Sequence, residues 1–141
     1  MHRTLALLLL ALTVGACAPA AARSRPSVSR GDGVALPPTA VRHVVVFKYR
    51  AGATPEQIRQ VTQAFAALKD RIPGILAFEH GVNDSPEGLN QGFTHVHLLT
   101  FASPAARDAY LPHPEHQAFG RLLGALGVVE GAFVVDYSPR E

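Results

Sequence analysis

Hydrophobic and polar positions change period along this chain, and the changes mark its elements. Val41 to Tyr49 reads VRHVVVFKY, β-branched and aromatic, and predicts a strand. Thr54-Pro55-Glu56-Gln57 then opens a helix. Thr54 can cap, Pro55 suits the first helical position, and Gln57 stands at the capping-box spacing. Apolar residues follow at Ile58, Val61, Phe65, Leu68 and Ile72, spaced 3, 4, 3 and 4, on one face of an amphipathic helix. Pro73-Gly74 stops it.

Ile75 to Val82 predicts a second strand, Asn83 to Gly92 a polar loop, and Thr94 to Phe101 a third strand. Ser103-Pro104 opens a short helix through Tyr110. Pro112 and Pro114 interrupt it, and Pro114 can start another helical stretch toward Leu123. Val128 to Tyr137 is the last strand. The order βαββαβ is that of a ferredoxin-like α+β sandwich, a four-stranded antiparallel sheet with helices on one face.

Strand alternation adds a partner. His43, Val45 and Phe47 share one face of the first strand, and Val44 and Val46 the other. On the third strand His95, His97 and Leu99 oppose Val96 and Leu98. On the last, Ala132 and Val134 oppose Phe133 and Val135. Both sheet faces are therefore apolar near the centre. Helices cover only one, and an antiparallel sheet normally leaves its open face polar. An open apolar face on so small a domain predicts a homodimer packed sheet to sheet.

Upstream of Val41 the pattern is of another kind. Met1 to Thr4 is short and positively charged. Leu5 to Val14 is an apolar run of ten residues, too short to span a bilayer as a helix but right for a signal-peptide core. Val14-Gly15-Ala16-Cys17 resembles the bacterial lipobox, with the chain's one cysteine where lipidation requires it. Residues 1–16 are thus expected to be a lipoprotein signal peptide. Residues 17–40 would be the lipidated Cys17 and a flexible linker of Ala, Ser, Arg, Gly and Pro without period, and residues 41–139 the folded domain. Such lipidation adds three acyl chains. At about 0.8 kcal/mol per buried CH2, more than one chain anchors stably. The expected location is the cell envelope, membrane-anchored, on the outer-membrane or periplasmic side in a Gram-negative host.

Composition narrows the functional classes. A chain of 141 residues allows one domain. Thirteen Lys+Arg against eleven Asp+Glu leave no basic excess for binding nucleic acid. A single cysteine excludes an intrachain disulfide and a cysteine zinc module. Charged residues at 17% and hydrophobic residues at 48% exclude disorder throughout. No cofactor is expected. Seven histidines stand out for this length.

Several stretches resemble the stress-responsive A/B barrel domain (Dabb) family of dimeric α+β barrel proteins. They are His43-Val44-Val45-Val46-Phe47-Lys48, Ile72-Pro73-Gly74, Gly92-Phe93-Thr94-His95, Tyr110 with His113-Pro114-Glu115-His116, and Asp136-Tyr137. Tyr-x-x-His-Pro-x-His is the most specific of them. The resemblance implies a pocket between sheet and helices over Val45, Phe47 and Leu99. A plant member of the family closes a linear polyketide by aldol condensation. Similarity to it implies His116 as general base, Tyr110 as the catalytic tyrosine, and His43 and His95 as pocket-lining groups. His97 replaces an aliphatic residue of that member and makes the floor more polar.

Asp136 shares a face with Ala132 and Val134, from which it could orient a histidine, and His113 stands beside His116 as a further ligand-binding candidate. His80 has no assigned role. His95 and His97, about 7 Å apart along one strand face, could with His43 or His116 hold a metal. No cysteine and no HExxH-like signature supports this, and no metal is assigned. The leading expectation is an envelope-anchored domain that binds a small apolar or phenolic molecule. The alternative is a cyclase- or lyase-like enzyme with His116 as base and Tyr110 as oxyanion donor. An oxygen-using enzyme would rest on fold analogy alone.

Overall fold

The structure, a computed structural model, describes residues 36–140. Cys17, the expected signal peptide and most of the expected linker lie outside the described residues. Strand β1 is Val41–Tyr49 and occupies the middle of the sheet. Strands β2 (Ile75–Val82), β3 (His95–Phe101) and β4 (Val129–Tyr137) join it in the order β2-β3-β1-β4, with every neighbour antiparallel. This is the ferredoxin-like α+β fold that the order of elements predicts.

Helix α1 (Pro55–Ala66) starts where the capping residues put it. Thr54 accepts from the Gln57 N–H, and the Gln57 side chain accepts from the Thr54 N–H at 2.9 Å. The single helix expected to reach Ile72 is instead broken at Ala67. The Ala67 N–H is shared between the carbonyls of Gln63 and Phe65, and a short helix α2 (Leu68–Arg71) follows. The apolar face survives the break, since Val61, Phe65, Leu68 and Ile72 are all buried. Ile58, the first position of that face, stays partly exposed.

Ser103 caps α3 (Pro104–Tyr110) by accepting from the Ala106 N–H at 3.2 Å. Helix α4 (Pro114–Leu126) runs past Leu123, because its stop is Gly127 in the left-handed region at φ 60°. His43, Val45 and Phe47 of β1 face the helices and are buried with Leu99, Phe101, Tyr110 and Phe119. The opposite sheet face pairs Val44 with Leu98 and Val135, and Val46 with Val96 and Phe133. Phe133 is 54% exposed and Val135 39%. No helix among the described residues is long and apolar enough to cross a membrane.

Candidate active-site pocket

Register brings the first two groups together. β1 and β4 pair His43 with Asp136, and the His43 Nδ1–H donates to Asp136 Oδ1 at 2.5 Å. A carboxylate can only accept, so this bond fixes the tautomer and leaves Nε2 of His43 as the nitrogen with a lone pair. The second oxygen of Asp136 is held by the guanidinium of Arg107, which also donates to Asp108 at 2.8 Å. Arg107 thus ties α3 to β4 behind His43. It was not among the candidates read from sequence. The available signal was its place three residues before Tyr110, one helical turn back on the same face.

Tyr110 closes α3 and is fully buried. Its ring lies 5.1 Å from Phe101, 5.7 Å from His43 and 4.2 Å from His116, centroid to centroid. The hydroxyl has no hydrogen-bond partner. Burial, with the Asp136 charge second, pushes its pKa above the ordinary phenol value, so it remains an O–H donor at neutral pH. Unpartnered buried hydroxyls are uncommon in folded proteins. Tyr110 is among the residues lining an apolar cavity, and an oxygen reaching the hydroxyl from there could accept from it.

His116 enters from the first turn of α4. Its Nδ1 lies 2.9 Å from the carbonyl oxygen of Leu111. A carbonyl accepts only, so Nδ1 carries the proton and Nε2 is the basic nitrogen. The cavity beside these groups has a volume of about 260 Å³. Val45, Phe47 and Phe65 form its floor, Phe119 and Leu123 one wall, and Ala132 and Val134 the other. Leu99, expected in the floor, is instead sealed in the core. The site therefore holds two basic imidazole nitrogens and one phenolic donor over hydrocarbon, a set suited to binding an oxygenated small molecule and moving a proton on it.

The profile of the stress-responsive A/B barrel domain family matches residues 41–139. The chain belongs to this family. Residues of this A/B barrel chain are 35% identical over 99 positions to the stress-response A/B barrel domain-containing protein HS1 of Arabidopsis thaliana, covering 70% of this chain and 89% of that one. They are 28% identical over 102 positions to olivetolic acid cyclase of Cannabis sativa, covering 72% and 99%. Among solved structures, a dimeric ferredoxin-like protein from Jannaschia superposes with a TM-score of 0.61 at 29% identity, covering 71% of this chain and 99% of that one.

In this A/B barrel domain the remaining sequence candidates lie away from the pocket. His113 is the N-cap of α4, its Nδ1 accepting from the Glu115 N–H at 3.2 Å. His95 sits at the far end of β3 against Tyr49, with Thr94 Oγ1 2.9 Å from its Nδ1. His97 is a core residue, 1% exposed, among Phe47, Phe65 and Phe78 at 5.1, 5.2 and 6.1 Å. Among the described residues no group of three His, Cys, Asp or Glu side chains is placed to hold a metal.

Burial, followed by the neighbouring His80 and His95, lowers the His97 pKa from 6.5 to about 4. An unfolded chain binds this proton below pH 6.5 while the native ring does not. Stability contributed here is complete above that pH and is lost as pH falls toward 4. The expected loss is about 2 kcal/mol by pH 5. Urea unfolding of the wild type and of His97→Leu at pH 7 and pH 5 checks it. The variant should show a correspondingly flatter pH dependence.

Proposed function

We propose that this protein is an envelope-anchored A/B barrel domain that binds a small apolar or phenolic molecule in the pocket of His43, Tyr110 and His116. The observation that carries this reading is the unpartnered hydroxyl of buried Tyr110, a residue that lines an apolar cavity with its ring 4.2 Å from that of His116. A phenolic or keto oxygen would accept from Tyr110, and its hydrocarbon would lie on Val45, Phe47 and Leu123. Mass spectrometry of the purified full chain for retained ligand, followed by titration with a panel of phenolic and β-keto compounds, tests it. Binding should shift the ring resonances of His43 and His116, and those two shifts should vanish in Leu123→Trp, which fills the cavity. A panel that moves neither His43 nor His116, or shifts of these two rings that persist in Leu123→Trp, rejects it.

Anchoring rests on Val14-Gly15-Ala16-Cys17 and the apolar run before it. Palmitate labelling should be present in the wild type and absent in Cys17→Ser. Homodimerisation rests on the sheet face of half-buried Val44 and Val46 and exposed Phe133 and Val135 and on the dimeric Jannaschia neighbour. Sedimentation at micromolar concentration should give a dimer, and Phe133→Asp with Val135→Lys a folded monomer. A monomeric wild type would end this part of the proposal.

The tautomer of His116 favours a second reading, a cyclase- or lyase-like enzyme. Nε2 would take a proton from the carbon next to a carbonyl. The freed electron pair would move onto the carbonyl oxygen, and the Tyr110 O–H would hold the enolate. The enolate carbon would then attack a second carbonyl, whose oxygen would recover the proton from His116. The similarity to olivetolic acid cyclase points the same way.

A further inference from the structure

A second cavity lies on the same side of the sheet, away from the pocket. It opens between α1 and the β2–β3 side, has a volume of about 460 Å³, and is lined by Ile58, Arg59, Thr62, His80, Val82 and His95, among others. None of these residues lines the first pocket. We propose that this cleft is a separate ligand site for a small neutral phenol or aryl alcohol, with its ring on Ile58 and Val82 and its hydroxyl donating to His80 or His95. The proposal does not depend on the function proposed for the pocket.

The cleft explains features that the core and the pocket leave idle. Ile58 belongs to the apolar face of α1, yet it is partly exposed where Val61, Phe65, Leu68 and Ile72 are buried. Its side chain supplies one apolar wall. Register sets His80 opposite His97 and Val82 opposite His95, so three imidazoles cluster on one sheet face. The His80 and His97 rings stack at 6.4 Å. Thr62 Oγ1 lies 3.5 Å from His97 Nε2 and also lines the cleft. Thr94 Oγ1 lies 2.9 Å from Nδ1 of His95, and with the proton on Nδ1 and donated to Thr94 the Nε2 of His95 is free to accept from a ligand.

Charge selects the ligand class. The cleft contains no carboxylate, so a cation would meet only imidazoles and a guanidinium. Arg59 is paired with Glu56 one turn back on α1, so the cationic rim is already compensated. Burial holds His95 and His97 below the ordinary imidazole value, which keeps both neutral near pH 7. A carboxylate ligand gains little from neutral rings, whereas a hydroxyl donates to them without any ring having to charge. The remaining surface is largely hydrocarbon and has room for one aromatic ring.

Titration of the full chain with 4-ethylphenol, read on histidine ring resonances, tests the site. His80 and His95 should shift together and saturate. The methyl ether 4-ethylanisole and the anion 4-ethylbenzoate should bind less tightly. His80→Leu, on an exposed strand position, should weaken 4-ethylphenol roughly five- to tenfold, and Gln63→Trp at the cleft mouth should block it. Leu123→Trp in the other pocket should leave these shifts unchanged. Equal binding of the ether or of the anion would overturn the proposal. So would loss of the shifts in Leu123→Trp alone, or saturable Zn²⁺ binding at His80 and His95 in preference to the phenol.

Discussion

Replacing Phe65 with alanine is expected to lower the unfolding free energy by about 3–5 kcal/mol, the largest stability loss of any single substitution argued for this domain. Phe65 is 1% exposed and touches almost every part of the interior. Its ring stacks on Phe119 of α4 at 4.6 Å and lies 5.2 Å from His97, 5.6 Å from Phe78 and 6.1 Å from Phe47. The cost has two parts, lost transfer free energy and the void left behind. Relaxation cannot close that void cheaply, because three of the four neighbours stand on β strands locked into one sheet. Phe65 also walls the first pocket and packs against His97, which meets Thr62 at the second cleft. Its removal would thin the partition between the two cavities. Urea denaturation reads the loss as a lower midpoint at nearly constant slope. A change below 1 kcal/mol would mean that Phe65 does not organise the core as described.

Much of this was legible beforehand, for reasons that are local. The alternation of β1 depends on a period of two that no tertiary contact alters. Thr54, Pro55 and Gln57 fix the start of α1 through hydrogen bonds spanning four residues. Tyr110 and His116 meet because a short proline-broken turn joins their helices. The break at Ala67 was not legible, since Ala67 has high helix propensity and the apolar spacing runs straight through it.

Grouping the histidines was harder, because a shared face says nothing of distance along the strand. His43 pairs with Leu99 and Phe47 with His95. His95 therefore lies four residues, about 13 Å, from the level of His43. What reads as one cluster in sequence is two sites and a core residue in space. Arg107 stayed hidden for the converse reason. Its partner Asp136 is 29 residues away, and only the β1–β4 register brings the carboxylate between Arg107 and His43. That arrangement gives Asp136 a positioning role. It holds the His43 ring from behind while Arg107 holds Asp136, and neither carboxylate oxygen is left to compete for a ligand proton.

The enzyme reading makes the sharpest claim about His116. If its Nε2 removes a proton next to a carbonyl, His116→Ala should slow deuterium exchange at the α-carbon of a bound β-keto compound by about 10²–10⁴-fold. Tyr110→Phe should slow it by about 10²–10³-fold, because the enolate oxygen would lose its one phenolic donor. The two variants separate the roles. His116→Ala deletes the base, so adding imidazole to the solution should restore part of its exchange. Tyr110→Phe keeps the base and should gain nothing from added imidazole. Near-wild-type melting temperatures would show that neither effect comes from unfolding, since the Tyr110 hydroxyl and the His116 ring each make at most one hydrogen bond in the unliganded fold. Exchange at the wild-type rate in His116→Ala, with binding intact, would leave the pocket as a binding site in which Tyr110 recognises an oxygen and no proton moves.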